Sequence, residues 1–213
     1  MKSLSFALLA AACLSGCADL ALPEPPVPGY VPANFRGEAK LPADVQRVAL
    51  LPIHGGRVTE PESAQALDAV LLAALQRQQR FEVVVVSRED CRRAFGAESF
   101  RSTDALPHGM LEQIASKYAV DAVVFTDLTV FQPYRPIAIG LRSKLATVHD
   151  VRLLWTFDET FSASQENMVA SVRQYYHHGD RSAPVDETPA VLQSPGRFGA
   201  VAADLMFRTL PPR

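Results

Sequence analysis

Cysteine is scarce in this chain, with three in 213 residues, at positions 13, 17 and 91. That is too few for a disulfide-built scaffold. Charge of one sign is also missing: 21 Lys and Arg stand against 23 Asp and Glu, a net charge of −2. Without a basic footprint, neither nucleic acid nor an anionic lipid surface is expected as an electrostatic partner. No Gly-x-Ser-x-Gly elbow and no His-Glu-x-x-His pair occurs, so two common hydrolase patterns are unmet. Long apolar runs are lacking as well. The stretch Leu4–Leu14 is too short to span a bilayer.

That stretch has another use. Lys2 supplies a minimal positive start, Leu4–Leu14 an apolar centre, and together they read as an export signal. Leu14-Ser15-Gly16 before Cys17 resembles the lipobox of bacterial lipoproteins. The resemblance implies cleavage between Gly16 and Cys17, a thioether-linked lipid on Cys17 and acylation of its freed amino group. Two or more chains anchor stably, at ~0.8 kcal/mol per buried CH₂. Ala18, not aspartate, follows the cysteine. By the sorting rule of enteric lipoproteins this implies the outer membrane, with the domain facing the periplasm. The membrane is then a partner through the lipid, and no other cofactor is expected.

Cleavage removes Lys2 and no acid, leaving 20 basic against 23 acidic residues, a charge of −3. Cys91 becomes the lone thiol. Arg92 and Arg93 beside it would lower its pKa if it were exposed, but a free cysteine is more often a small buried hydrophobe. Ala18–Pro42 holds six of the 16 prolines and reads as an extended tether, at up to ~3.1 Å per residue. Truncation there is expected to leave folding intact. The chain therefore divides into a signal (1–16), a lipidated cysteine with a proline-rich tether (17–42) and one domain (43–213).

The domain opens with "RVALLPI" (47–53), a nearly continuous apolar run that reads as a buried strand. "TEPE" (59–62) has the form of a capping box, and Leu67, Val70, Leu71, Ala74 and Leu75 behind it form one helical stripe. "FEVVVVS" (81–87) predicts a second central strand. Ser87 and Asp90 open a short helix that Gly96 stops. Pro107 opens another, with Leu111, Ile114, Ala115 and Tyr118 on one face, before a third strand, "DAVVFTDLTVF" (121–131). Alternating strands and helices imply parallel neighbours joined by crossovers.

From Ile139 to Phe161 the period changes to two. Ile139, Leu141, Leu145, Val151, Leu153, Trp155, Phe157 and Phe161 are apolar, and Arg142, Lys144, Arg152, Thr156 and Asp158 alternate with them. This is an antiparallel pair with one buried face. A two-residue turn at His149-Asp150 would set unlike faces side by side, so a three-residue turn, Val148-His149-Asp150, is expected, pairing Thr147 with Val151. Two helices close the chain, one over about 165–176 and one opened by "SPGR", with Phe198, Val201, Ala202 and Leu205 in phase. The fold class is α/β, one domain whose mixed sheet joins a parallel βαβαβ part to an antiparallel hairpin, packed by helices.

"VALLPI", "FEVVVVS" and "LEQIASKYAVDAVVFTDLTVF" together resemble the α/β domain of the TolB amino terminus and of CsgG, which outer-membrane activators of penicillin-binding proteins share. Lys117-Tyr118-Ala119-Val120 replaces the usual Ala-Gly before Asp121-Ala122. "RLLWTFDETFSAS" is similar to a segment of uncharacterised bacterial lipoproteins. The resemblance covers Arg47 to Ser164 and is mainly a pattern of core positions. It implies an accessory or assembly protein of the envelope, with no catalytic residues to carry over.

Candidate chemistry is sparse. His54-Gly55-Gly56 sits at the carboxyl end of a central strand, where α/β sheets bind ligands, but it lacks a phosphate-loop Lys-Ser/Thr and reads as a turn. His177, His178 and Asp180 invite a metal, yet adjacent helical histidines point about 100° apart, and they suit a helix C-terminus ended by Gly179. Asp158 and Glu159 face opposite sides of a strand and cannot flank one bond. Glu159, on the apolar face, is expected to pair with Arg135 or Arg173. Three functions are compatible with these residues: a docking module for an envelope machine, a self-assembling ring or pore built on the hairpin, and a metal-dependent hydrolase at His177, His178 and Asp180. The first is preferred. Its protein partner and any homo-oligomeric state are left open.

Overall fold

The computed structural model describes residues 27–177 and 187–213. Strand β2 (Arg47–Leu50) is flanked in parallel by β3 (Glu82–Val85) and β4 (Ala122–Gln132). Strands β5 (Ala138–Thr147) and β6 (Leu153–Ser162) continue antiparallel from β4. A short β1 (Phe35–Gly37) lies antiparallel to β6, so the sheet order is β1-β6-β5-β4-β2-β3. The helices are α1 (Pro61–Arg77), α2 (Arg88–Phe95), α3 (Met110–Tyr118), α4 (Glu166–His177), α5 (Thr188–Val191) and α6 (Pro195–Phe207).

Two cores flank the parallel half. Val48, Leu50, Ala122 and Val124 enter the larger core with α1, α4 and α6. Ala49, Leu51, Val123 and Phe125 enter the smaller one with α2 and α3. Burial on both faces is why these strands read as unbroken apolar runs. The antiparallel half is buried on one face. Leu141, Leu145, Trp155, Phe157 and Phe161 join the larger core, each at most 2% exposed. Fully burying such side chains contributes roughly 1.5–3 kcal/mol each. On the opposite face Arg142 and Asp158 are cross-strand neighbours and meet at 2.7 Å. Inside the larger core, the Thr126 and Ser143 hydroxyls meet at 3.0 Å and Ser143 donates to the Phe125 carbonyl, so these buried polar groups are satisfied.

Several local expectations need correction. "FEVVVVS" forms an edge strand, not a central one, and Val85 is 50% exposed. A continuous apolar run reports neither how many neighbours a strand has nor how fully its faces are covered. The Thr59–Glu62 capping box is absent: α1 starts at Pro61 after Glu60, with no side-chain cap. Pro61 is preset for that position and sets the start by itself. α3 begins at Met110 rather than Pro107, because the Pro107 carbonyl accepts the Met110 N–H in a preceding turn and Gly109 sits at φ +71. The α2 boundaries hold. Ser87 accepts the Asp90 N–H, and Gly96 at φ +78 ends the helix.

The hairpin turn also differs. Thr147 N–H donates to the Arg152 carbonyl across a loop of residues 148–151, with Val151 at φ +53. Ala146 faces Leu153 but Leu145 faces Trp155, so Leu154 is an extra residue in β6. An even loop plus one bulged residue preserves the parity that the expected odd loop was meant to supply. The bulge also turns Leu153 out, 52% exposed, and Leu154 in, 1% exposed.

Candidate functional site

The chain passes from β2 through α1 to β3 on one side, then from β3 through α2 and α3 back to β4 on the other side of β2. The carboxyl end of β2 is therefore a topological switch point, where open α/β sheets usually hold a ligand. His54 lies here, bridged to Asp127, with its N–H on the Thr126 carbonyl at 2.9 Å. On the β4 side the crevice is occupied by the chain itself, while on the β3 side a cavity of about 560 Å³ lies against Pro52, Asp68, Val86 and Arg88. His54 Nδ1 lies 3.2 Å from Ser99 Oγ. Asp127, 3% exposed, accepts the Ser102 N–H and hydroxyl at 2.8 and 2.6 Å, and Lys144 donates to the Ser102 carbonyl. On the other side Arg88 binds both oxygens of Asp68 and the Ile53 carbonyl, while Asp68 accepts the Ile53 N–H. Gly55 is required by crowding, since a Cβ there would lie 2.9 Å from that of Ala64. Gly56 is required by φ +56. The His54-Gly55-Gly56 segment is thus a tight turn, locked beneath residues 99–102.

The opposite sheet edge carries a different arrangement. Glu159 accepts hydrogen bonds from the Tyr30 hydroxyl at 2.7 Å and from the backbone N–H groups of Ala33 and Asn34. Its partners are this N-terminal strap, not Arg135 or Arg173, both of which are exposed. Tyr30 N–H donates to Ser171 Oγ at 2.7 Å, and the Tyr30 ring stands edge-on to Phe161 at 5.4 Å. Burial, and then the Glu159 charge, push the Tyr30 phenol up to about 12. Beyond Asn34, β1 covers Trp155–Phe157, and Leu41, 6% exposed, bonds the Pro212 carbonyl. The described part of the proline-rich segment is therefore laid along β6.

The remaining candidates are dispersed. His177 is the last residue of α4; His178 and Asp180 lie outside the described residues, as do Gly16 and Cys17. Cys91 is fully buried, and that burial pushes its thiol up to about 11 despite nearby Arg88 and Lys117. Sequence reasoning singled out Glu159 from its place in an apolar alternation but had no means of finding Tyr30, 129 residues away. Asp127 and Asp204 were passed over. Both stand in strongly apolar segments, and a carboxylate there signals a buried partner.

No protein-family model and no curated protein sequence matches the chain. Solved structures do. A PelC dodecamer from Paraburkholderia phytofirmans is 15% identical with a TM-score of 0.44, over 81% of this chain and 96% of that one. Lipoprotein GNA1162 from Neisseria meningitidis is 13% identical with a TM-score of 0.43, over 57% and 87%. The LpoB C-terminal domain from Salmonella enterica is 15% identical with a TM-score of 0.36, over 55% and 82%. At such identities and scores these likenesses carry no argument about function.

Proposed function

We propose that this chain is a non-enzymatic envelope lipoprotein, anchored to the outer membrane through lipid on Cys17, whose periplasmic domain docks on a protein of an envelope assembly or secretion machine. The observation that supports the reading is that the chain itself occupies the β4 side of the switch point. Where an α/β sheet would place substrate, Ser99 is bonded to His54, Ser102 to Asp127 and Arg88 to Asp68, with Lys144 on the Ser102 carbonyl. The two sheet edges are the surfaces offered for docking. The strap joins the anchor side of the chain to the β6 edge, while β3 stands at the far edge of the sheet. The N–H groups of Glu82 and Val86 point to β2, so those of Val83 and Val85 point outward.

The pore reading is not favoured by the hairpin's packing. Its apolar face is already occupied by the larger core, and presenting Trp155, Phe157 and Phe161 to lipid would unpack α6. Two experiments test the proposal. Cys17→Ser is expected to move the protein from the membrane pellet to the soluble periplasm; retention in the pellet would remove the anchor. Crosslinking in living cells with mass spectrometry is expected to enrich one envelope protein over the Cys17→Ser control. Recovery of self-crosslinked multimers alone would favour assembly instead.

A further inference from the structure

A cavity of about 550 Å³ opens between strap residues 29–31 and helices α1, α4 and α6. Asp204, 4% exposed, forms its floor. One carboxylate oxygen lies 3.4 Å from Arg77 Nε, with Gln78 Nε2 at 3.5 Å, and the other lies 2.7 Å from Arg208 Nη2. Arg77 is held over the Tyr175 ring, its Cζ 5.4 Å from the centroid. A buried ion pair can be purely structural, and one arginine would suffice to neutralise Asp204. Here there are two, and among the described residues no other charged side chain lines the cavity, so this lining carries one surplus positive charge. The C-terminal end of α6, where Arg208 is the cap residue, offsets part of that charge and leaves the remainder facing the cavity. Each guanidinium has five N–H donors, more than Asp204 can accept. The remaining walls are mixed, with an apolar patch from Val31, Val201 and Leu205 and polar groups from Ser171, Gln174 and the tyrosines.

We propose that this cavity binds a small monocarboxylate with an apolar body. Its carboxylate would meet the Arg77 and Arg208 forks, and its body would lie against Val31 and Leu205. The volume is typical of small-molecule sites. The single surplus charge selects a monoanion: a phosphate dianion would bring an unmatched charge beside buried Asp204. Because Gly29–Val31 form one wall, the site is complete only while Glu159 and Ser171 hold the strap. The inference does not rest on the docking reading, and either can fail alone.

The test is isothermal titration calorimetry on the full chain carrying Cys17→Ser, with N-acetylphenylalanine, its neutral amide and inorganic phosphate as probes. The carboxylate is expected to bind about tenfold or more tightly than the amide, as charge-assisted forks require. Arg208→Gln, whose side chain is 62% exposed in the parent, is expected to abolish that difference by weakening the carboxylate to the level of the amide. Glu159→Gln, by loosening the strap wall, should weaken both probes. Equal binding of acid and amide, phosphate binding as tight as the carboxylate, or no heat from any probe up to about 10 mM would overturn the proposal. The acid–amide comparison is made on the parent chain, so it stands even if Arg208→Gln fails to fold.

Discussion

One carboxylate, Glu159, receives a phenol and two backbone N–H groups from a segment more than 120 residues away. Hydrogen bonds to a charged acceptor are worth roughly 1.5–3 kcal/mol net when shielded, and less at a half-exposed site such as this. Glu159→Ala should therefore raise the exchange rates of the Ala33 and Asn34 amides about tenfold or more, with little change in global melting, because strap opening is a local event. Unchanged exchange would show that β1 alone holds the strap. The same contact sets a pH dependence. Docked Tyr30 keeps its proton up to about 12, against 10.0 for the ordinary phenol. Strap docking should be fully stable below pH 10 and weaken as pH rises through 12, since the released segment gives up its proton first. Tyrosinate absorbance and limited proteolysis, followed together, would detect it.

Among the elements, α2 is the one most fully specified by its own residues. Ser87 accepts the Asp90 N–H and also donates to the Asp90 carboxylate at 2.8 Å. Lys117, on α3, binds the same carboxylate and, with Ser87, holds Asp90 down at about 2. Ser87→Ala should cost about 1 kcal/mol, read as a lower denaturation midpoint with an unchanged slope. An unaltered midpoint would mean that Lys117 and Cys91 packing position α2 without its cap. The hairpin is a contrasting case. Its alternation was plain in the sequence, and the parity of its faces was fixed by it. The bulge at Leu154 was not legible, because Leu153 and Leu154 are chemically alike and only burial in the larger core chooses between them.

At the scale of the molecule, the sheet has two edges treated differently. The β6 edge is covered by the strap and β1, whereas β3 is uncovered among the described residues. Composition alone assigned all of residues 18–42 to a tether whose loss would be harmless. The structure divides that segment. Deleting residues 18–28 should leave thermal stability unchanged, whereas deleting residues 18–38 should lower it and promote self-association, because an unpaired β6 edge is a template for another strand. Calorimetry and sedimentation velocity on the two deletions would separate these outcomes. Equal behaviour of both would return the whole segment to the tether.

The sequence alone determined the α/β class, the stripe on α1, the caps of α2 and the one-sided burial of the hairpin. Each is written in residues within a few positions of one another, where periodicity, capping and turn chemistry act. Tertiary structure decided the rest: that β3 lies at an edge, that Glu159 answers to Tyr30, that residues 99–102 close over His54, and that Asp204 gathers Arg77 and Arg208. Those partners are brought together by sheet order and helix packing. Such long-range contacts leave no period in the chain, and their only local trace is a carboxylate standing in an apolar run.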